Sequence, residues 1–271
     1  MVTRIITSLV GLPIIITLIA IGGVLLKIGV LTVALIGMTE LYKVVSKRIL
    51  PLHYINCFFA LIYIFMLGNF DVNSLQIFYA ILILINLLSL VFFYEKYNII
   101  DCAVGLFAFF YVAVLLANII LVRNYDGSGQ FFVWLIFISA WGCDTGAYFF
   151  GKAIGKHKLA PVLSPNKTIE GSVGGIITAA VLGAGFAFTL QHFNPAANGL
   201  LGYNTILIFS AICACGAIAS QLGDLTASAI KRFTKTKDYG NIFPGHGGVL
   251  DRFDSVLFTA PCVYLVLLIL S

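Results

Sequence analysis

The chain has 271 residues, of which 61% are hydrophobic and only 10% are charged, with a formal net charge of +5 and a mean hydropathy of +1.05. Soluble globular domains are about half apolar and about a quarter charged, so this composition excludes a soluble globule and predicts a polytopic membrane protein. The six cysteines lack the spacing of a disulfide framework or a zinc site, and we expect them to be small core residues.

Apolar runs long enough to cross a membrane recur along the whole chain. A transmembrane helix needs about 20 apolar residues to cross about 30 Å of hydrocarbon. We predict nine such helices and therefore an all-α polytopic membrane fold. They lie near residues 5–26, 28–45, 54–70, 76–94, 102–122, 131–150, 172–191, 203–223 and 254–270. The first run follows Arg4 as in a secretory signal, but its length and the lack of a small-residue cleavage site before Lys27 favour a membrane helix.

The basic residues predict an orientation, because Lys and Arg in short loops mark the cytoplasmic side. With the N-terminus inside, all of the 16 Lys and Arg residues except Lys27 and Arg123 lie on the cytoplasmic side. The two long polar segments, 151–171 and 224–253, then face the cytoplasm as well. We therefore expect a multi-pass protein of the cell inner (plasma) membrane whose functional site faces the cytoplasm.

Ionisable residues are nearly absent from the first five predicted helices and concentrate after Gln130. We therefore expect 1–130 to form transmembrane scaffold helices and 131–271 to form a transmembrane catalytic region. Glu40, near the end of the second predicted helix, is an exception. Two interpretations of Glu40 stand: an interfacial carboxylate near Lys43, or a supporting role at the functional site.

The sixth predicted helix, 131–150, carries a carboxylate about two turns inside the membrane boundary. This residue is Asp144, and Tyr148 shares its helix face at i, i+4 spacing. Because burying a charge in a bilayer is costly, an intramembrane acid is a functional candidate. The alternative interpretation is that Asp144 only neutralises a buried lysine.

The loop after this helix is basic and leads to a polar segment at the start of the seventh predicted helix. Lys152, Lys156 and Lys158 predict an electropositive mouth suited to phosphate, although a cytoplasmic loop without a ligand explains Lys152 and Lys156 about as well. That alternative explains Ser164-Pro-Asn-Lys-Thr168 less well, because amides and hydroxyls at a helix N-terminus bind anions. The segment from Gly151 to Lys156 is one residue short of a Walker A loop, and no G-x-G-x-x-G follows a strand pattern.

Small residues mark the seventh predicted helix, 172–191, and its start. Small residues spaced in this way permit close helix contact in lipid, where packing drives association. We assign to packing Gly171, Gly174, Gly175, Gly183 and Gly185.

Four aspartates supply the hard oxygen ligands that Mg²⁺ prefers alongside waters and substrate phosphates. They are Asp144, Asp224, Asp251 and Asp254, the last two sharing a helix face at i, i+3. Asp224 lies one turn before Ser228 on one face of the eighth predicted helix. Lys231 and Arg232 follow about one turn later, where they would hold the rest of a polyphosphate. The alternative is a set of surface salt bridges at the helix ends.

A glycine-rich segment precedes the last predicted helix. Gly245, Gly247 and Gly248 surround a lone His246, and they predict a backbone that turns sharply or comes close to a ligand. Because no His or Cys cluster surrounds His246, we do not expect a zinc site.

The segment 228–254 reads Ser228-x-x-Lys231-Arg232-x4-Lys237-Asp238-x4-Phe243-Pro244-x-His246-Gly-Gly-x-x-Asp251-Arg252-x-Asp254. It resembles the signature of the CDP-diacylglycerol synthases, also called phosphatidate cytidylyltransferases, and no signature position departs from it. Three further motifs are similar to that family: Trp141-x-x-Asp144-Thr-x-Ala-Tyr148, Ser164-Pro-Asn-Lys-Thr-x-Glu170-Gly and Gln221-x-Gly-Asp224. The resemblance therefore spans the C-terminal half of the chain.

This resemblance implies a Mg²⁺-dependent enzyme of phospholipid biosynthesis that converts CTP and phosphatidate into CDP-diacylglycerol and pyrophosphate. It also implies a homodimer with a funnel-shaped site open to the cytoplasm and to membrane lipid, and we expect no nucleic-acid partner. The resemblance places Mg²⁺, with K⁺ as a candidate second ion, on the carboxylates of Asp224 and Asp251.

We expect three roles among the predicted site residues. Asp224 and Asp251 would bind Mg²⁺ that bridges the CTP phosphates, and Asp144 and Asp254 would complete or orient that shell. Neutralisation of triphosphate or phosphatidate is expected from Lys167, Lys231, Arg232 and Arg252. Substrate binding is expected from Asn166, Ser228, Lys237, His246, Gly247 and Gly248.

Two other functions are compatible with the sequence. A transporter also places acids in the membrane, but the chain lacks the paired broken helices that inverted repeats produce. A related CTP-dependent enzyme that acts on another lipid is the nearer alternative, such as a lipid-alcohol kinase or an archaeal-lipid cytidylyltransferase. Product analysis separates these, because a kinase releases CDP whereas a cytidylyltransferase releases pyrophosphate.

Overall fold

The computed structural model describes residues 2–47, 49–193, 204–242 and 247–270, with side chains described from Gly11 onward. The helices are α1 (Val2–Ile21), α2 (Gly23–Val45), α3 (Pro51–Met66), α4 (Val72–Phe92), α5 (Ile99–Ala108), α6 (Leu115–Arg123), α7 (Gly129–Ile154), α8 (Ile169–Phe193), α9 (Thr205–Phe233) and α10 (Leu250–Leu270). A π-helical turn, Phe109–Val114, joins α5 to α6, and two short strands, β1 (Lys158–Ala160) and β2 (Ser164–Thr168), lie between α7 and α8.

Among the described residues, seven helical segments are long and apolar enough to span a membrane. They are Gly23–Val45, Val72–Phe92, Ile99–Arg123, Gly129–Ile154, Ile169–Phe193, Thr205–Phe233 and Leu250–Leu270. The predicted all-α polytopic fold is thus confirmed, although the first predicted run, 5–26, crosses the break between α1 and α2 at Gly22. The 16-residue α3 is short for a span, and the part of α1 whose side chains are described, Gly11–Ile21, is shorter still. The count of nine therefore stays a prediction.

The chain divides into two compact units. The first unit comprises Met1–Leu121 and Phe233–Arg252, and the second comprises Val122–Arg232 and Phe253–Ser271. The division predicted at residue 130 concerns function, with scaffold helices before it and a catalytic region after it. That division stays a prediction.

Polar side chains set the starts of two helices in the first unit. Asp71 caps α4, because its Oδ1 accepts the Ser74 N–H at 3.2 Å, and hydrogen bonds from Ser74 hold the pKa of the Asp71 carboxyl below its usual range. Asn98 and Asp101 form a reciprocal capping box at α5, with hydrogen bonds of 2.9 and 3.1 Å. Short side chains with acceptor oxygens thus end the α3–α4 and the α4–α5 connections.

A buried pair of amides joins α3 to α4. Asn56 and Asn86 are both fully buried, and each side chain donates to the other at 3.1 Å. Each amide also donates to a backbone carbonyl of its own helix, that of Leu52 or Leu82, at 2.9 Å. Gly105 of α5 lies against the pair, since a Cβ there would stand 2.7 Å from Asn56 Nδ2. Polar groups buried in lipid need internal partners, so this pair fixes how three helices meet.

Glycines let α7 and α8 approach closely in the second unit. A Cβ at Gly171 would lie 2.8 Å from the Ala147 carbonyl oxygen, and one at Gly175 would lie 2.7 Å from that of Cys143. Gly174 packs on Phe150, and Gly183 packs on α9. The predicted packing role is therefore confirmed for these four glycines. It is wrong for Gly185, where an added Cβ would meet no atom of the described residues within 4 Å.

The cysteines are all free thiols. Cys102, Cys143 and Cys213 are buried, as predicted for small core residues. Cys215 is exposed, so that prediction is wrong at this position.

Candidate functional site

The polar segment between α7 and α8 forms an antiparallel hairpin, which the sequence did not predict. Lys158 pairs with Thr168 and Ala160 pairs with Ser164. Ser164–Thr168 is therefore a strand, where the sequence analysis placed the start of a helix. The groups predicted to bind an anion still precede α8 directly. Thr168 Oγ1 accepts the Gly171 N–H at 3.1 Å and so caps the helix.

Glu170 fixes this hairpin to the first turn of α8. Its carboxylate accepts the N–H groups of Lys156 at 3.0 Å and of His157 at 3.2 Å. It also contacts His157 Nδ1 at 2.6 Å. A carboxylate in the first turn of a helix is favoured by the helix dipole. The hairpin that carries Asn166 and Lys167 is therefore held at both ends.

A cavity of about 610 Å³ lies within the second unit, beside this hairpin. Its charged and amide lining residues are Asp144, Lys152, Asn166, Lys167, Gln221 and Asp224, and the residues Ala147, Tyr148 and Leu159 add apolar surface. Both signs of charge therefore meet apolar surface in one cavity that is bordered by membrane-spanning helices. This arrangement suits a ligand with an anionic headgroup and an apolar body.

Lys167 and Asp224 form an ion pair in this cavity, and their side chains are 26% and 27% exposed. The pair joins β2 to α9. Asp254 interacts electrostatically with Asp224, Asp144 and Lys231, so three of the four predicted aspartates lie in one charged neighbourhood of the second unit.

Gln221 is a cavity residue to which the sequence analysis gave no role. It lies three residues before Asp224 on α9, and its Nε2 donates to the Ser172 carbonyl oxygen at 3.0 Å and to Cys143 Sγ at 3.3 Å. The Ser172 hydroxyl donates to Gln221 Oε1. One amide thus connects α7, α8 and α9 beside the ion pair. The motif Gln221-x-Gly-Asp224 was the signal available in the sequence.

Three more of the predicted site residues, Ser228, Lys231 and Arg232, lie on α9. Ser228 and Lys231 are half-buried, and Arg232 is exposed, with Nε donating to the Leu163 carbonyl oxygen at 3.3 Å. Helix α9 continues to Phe233, ten residues beyond the predicted end at 223. The helical spacing predicted for Asp224, Ser228 and Lys231 is therefore present.

The first unit contains the remaining predicted residues. Asp251 lies in the first turn of α10, and its Oδ2 accepts the N–H groups of Tyr239 at 2.8 Å and Gly248 at 3.0 Å. Gly247 has a φ of +84°, which confirms the predicted sharp turn there. Lys237 and Arg252 are exposed. His246 and Gly245, with Phe243 and Pro244, lie outside the described residues.

Glu40 is buried rather than exposed, but it interacts electrostatically with Lys43, as the first interpretation expected. It is 3% exposed, and its two oxygens accept the N–H groups of Val249 at 3.0 Å and Leu250 at 2.8 Å. Glu40 thus caps the N-terminus of α10 from a position about 210 residues earlier in the chain.

The structure therefore brings Asp144, Asn166, Lys167 and Asp224 to one cavity of the second unit. It places Gly247, Gly248, Asp251 and Arg252 at the start of α10 in the first unit. Within the ranges that the structure describes, no three His, Cys, Asp or Glu side chains are grouped closely enough to hold a metal ion by themselves.

The fold and the cavity define a multi-pass helical membrane protein with a charged site beside its spanning helices. Residues 2–270 match the cytidylyltransferase family, and the chain belongs to that family. It is therefore an enzyme, a nucleotidyltransferase.

Several relatives carry the name phosphatidate cytidylyltransferase. The protein from Staphylococcus haemolyticus is 34% identical over 272 residues, and that from Staphylococcus saprophyticus is 34% identical over 269 residues, each alignment covering 98% of both chains. The protein from Bacillus subtilis is 42% identical over 161 residues, which are 59% of this chain and 56% of that relative.

Proposed function

We propose that this enzyme converts CTP and phosphatidate into CDP-diacylglycerol and pyrophosphate in phospholipid biosynthesis. The observation that carries the proposal is the alignment, over 98% of the chain, with relatives named for this activity. The signature from Ser228 to Asp254 and the charged cavity in the membrane-spanning part of the chain agree with it.

The chemistry requires positioning and charge neutralisation more than proton transfer. A phosphate oxygen of phosphatidate attacks the α-phosphorus of CTP, and the bond from that phosphorus to the pyrophosphate leaving group breaks. Because the second pKa of a phosphate monoester is about 6, the nucleophile is already mostly dianionic at pH 7. Catalysis of such transfers rests on in-line positioning and on stabilising charge. A cavity with Lys, Asn and Asp side chains suits this task without a paired histidine base.

The cavity also fits the proposed Mg²⁺ cofactor. Mg²⁺ is usually held by one or two carboxylates together with waters and substrate phosphates. Asp144 and Asp224 line the same cavity, and Asp254 lies in their electrostatic neighbourhood. We propose Asp224 as a ligand, with Asp144 and Asp254 completing or orienting the shell. Bound there, Mg²⁺ would supply neutralisation of the triphosphate charge.

The other assignments stay predictions of the sequence. They are ligation by Asp251, K⁺ as a second ion, and phosphate contacts by Lys231, Arg232 and Arg252. Lys167 has the most direct support, because its ammonium group already lies on Asp224 in the cavity that Asn166 also lines.

The proposed orientation and assembly follow from the same reasoning. We place the site on the cytoplasmic side of the inner (plasma) membrane, because the basic residues concentrate there in the predicted topology and CTP is water-soluble. We also propose a homodimer, as the family resemblance implies.

The experiment is a reconstituted assay with purified protein, CTP, phosphatidate and Mg²⁺, with and without EDTA. We expect pyrophosphate release and cytidine incorporation into lipid in equal amounts, and loss of both with EDTA. Release of CDP would indicate a lipid kinase. Substrate uptake by proteoliposomes without nucleotide, together with no lipid product, would indicate a transporter.

A further inference from the structure

The Glu40 carboxylate meets α10 where the backbone of a helix needs acceptors. The first N–H groups of a helix have no intrahelical partner. Glu40 Oε1 accepts the Val249 N–H at 3.0 Å and Oε2 accepts the Leu250 N–H at 2.8 Å. Both oxygens are therefore used, and the negative charge lies at the positive end of the helix dipole.

The surrounding backbone closes on this carboxylate from two sides. A Cβ on Gly248 would lie 2.5 Å from either carboxylate oxygen of Glu40, and a Cβ on Gly240 would overlap Oε1. Leu250, 1% exposed, packs beside Gly37, one turn before Glu40 on α2. A buried charge without such partners would be strongly unfavourable. The lack of a side chain at these two glycines allows the backbone at 240 and at 248 to lie against Glu40.

The same turn is held by a second carboxylate, that of Asp251. Its Oδ2 accepts the Gly248 N–H, so two carboxylates take the three consecutive N–H groups of 248–250. Asp251 Oδ2 also holds the Tyr239 N–H at 2.8 Å. Movement of the first turn of α10 away from Glu40 would therefore displace the Asp251 backbone and carboxylate.

We propose that Glu40 is a positioning residue for the reaction: it anchors the first turn of α10 and thereby places Asp251. The inference rests on the proposed function and on the sequence-based prediction that Asp251 binds Mg²⁺ at the CTP phosphates. In this role, a residue of the N-terminal helices supports catalysis without contacting the substrate.

The test compares Glu40→Gln with two controls. Gln has the same size but replaces one acceptor oxygen with an NH₂ donor, so one of the two α10 N–H groups loses its acceptor. We expect kcat to fall about tenfold to a hundredfold, as for residues that orient catalytic ligands, with KM for CTP nearly unchanged. Glu95→Gln makes the same change at an exposed position of the first unit, and we expect it to leave kcat unchanged.

The second control separates positioning from general loss of stability. Asn86→Ala removes buried hydrogen bonds elsewhere in the first unit. We expect it to lower thermal stability at least as much as Glu40→Gln while sparing kcat of the folded fraction. If Glu40→Gln lowers activity only in proportion to unfolded protein, as Asn86→Ala does, the positioning role is refuted.

Hydrogen exchange tests the anchor without any activity measurement. We expect Glu40→Gln to accelerate amide exchange in the peptide 239–252 and nowhere else, and Glu40→Asp, which keeps the charge, to restore part of both protection and kcat. Unchanged exchange in 239–252 would overturn the proposal. If the wild-type protein made no CDP-diacylglycerol, the proposed function would be refuted. The exchange result would still decide whether Glu40 anchors the first turn of α10.

Discussion

Replacing Asp224 with Asn should separate catalysis from stability. Asp224 pairs with Lys167, and the two side chains are 26% and 27% exposed. A pair that is partly solvated in this way contributes about 0–1 kcal/mol to stability. The isosteric amide keeps the shape of the side chain, so we expect a folded protein whose thermal unfolding is close to that of the wild type.

The effect on turnover should be much larger. The substitution removes a charged oxygen ligand proposed for Mg²⁺ and frees the Lys167 ammonium from its partner. Loss of one pre-organised electrostatic contact costs about a hundredfold to a thousandfold in kcat, which is about 3–4 kcal/mol of activation free energy. Cytidine incorporation into lipid at saturating CTP measures this loss.

A matched substitution is available at Asp126, an exposed residue in the turn between α6 and α7. Asp126→Asn removes the same charge in the same unit outside the cavity lining, so we expect wild-type turnover. Near-normal turnover by Asp224→Asn would refute the assignment of Asp224. A loss of several kcal/mol of stability would instead make the ion pair structural.

Three further predictions concern residues whose contacts the structure defines. Asp251→Asn should abolish lipid product and also lower thermal stability, because Asp251 Oδ2 holds two backbone N–H groups; full stability with full activity would contradict both roles. Asn56→Leu and Asn86→Leu should each lower the free energy of unfolding. The double variant should lower it by less than the sum of the two, and the coupling measured in unfolding equilibria should be about 0.6–1.7 kcal/mol. Additive effects would mean that the two amides do not interact. Gln221→Leu should lower kcat without loss of the fold, since Gln221 connects Ser172 and Cys143 beside Asp224; unchanged kcat would remove Gln221 from the site.

Local patterns in the sequence were sufficient for the helices and for part of the cavity. Apolar runs of spanning length identify membrane helices because hydrocarbon thickness sets their length. Helical spacing then placed Asp224 with Ser228, and the burial cost of Asp144 marked it as a candidate. The structure brings Asp144 and Asp224 to one cavity, as those patterns indicated.

Contacts between distant parts of the chain could not be predicted in this way. Strand β2 contains Pro165 and Asn166, which are poor strand formers, so no alternating pattern marks the hairpin. The contact from Glu40 to α10 joins residues 209 and 210 positions apart, and its signal is a lone acid in an apolar helix. Such a residue indicates that a buried partner exists, but only the fold identifies the partner.

The position of a radiolabel in CTP tests the central claim most directly. Purified protein is given phosphatidate, Mg²⁺ and CTP labelled either at the α-phosphorus or at the γ-phosphorus, and the lipid and aqueous products are separated. We predict that the α-label enters the lipid and that the γ-label leaves only as pyrophosphate. Transfer of the γ-label to lipid, or no transfer of either label by folded protein, would contradict the account.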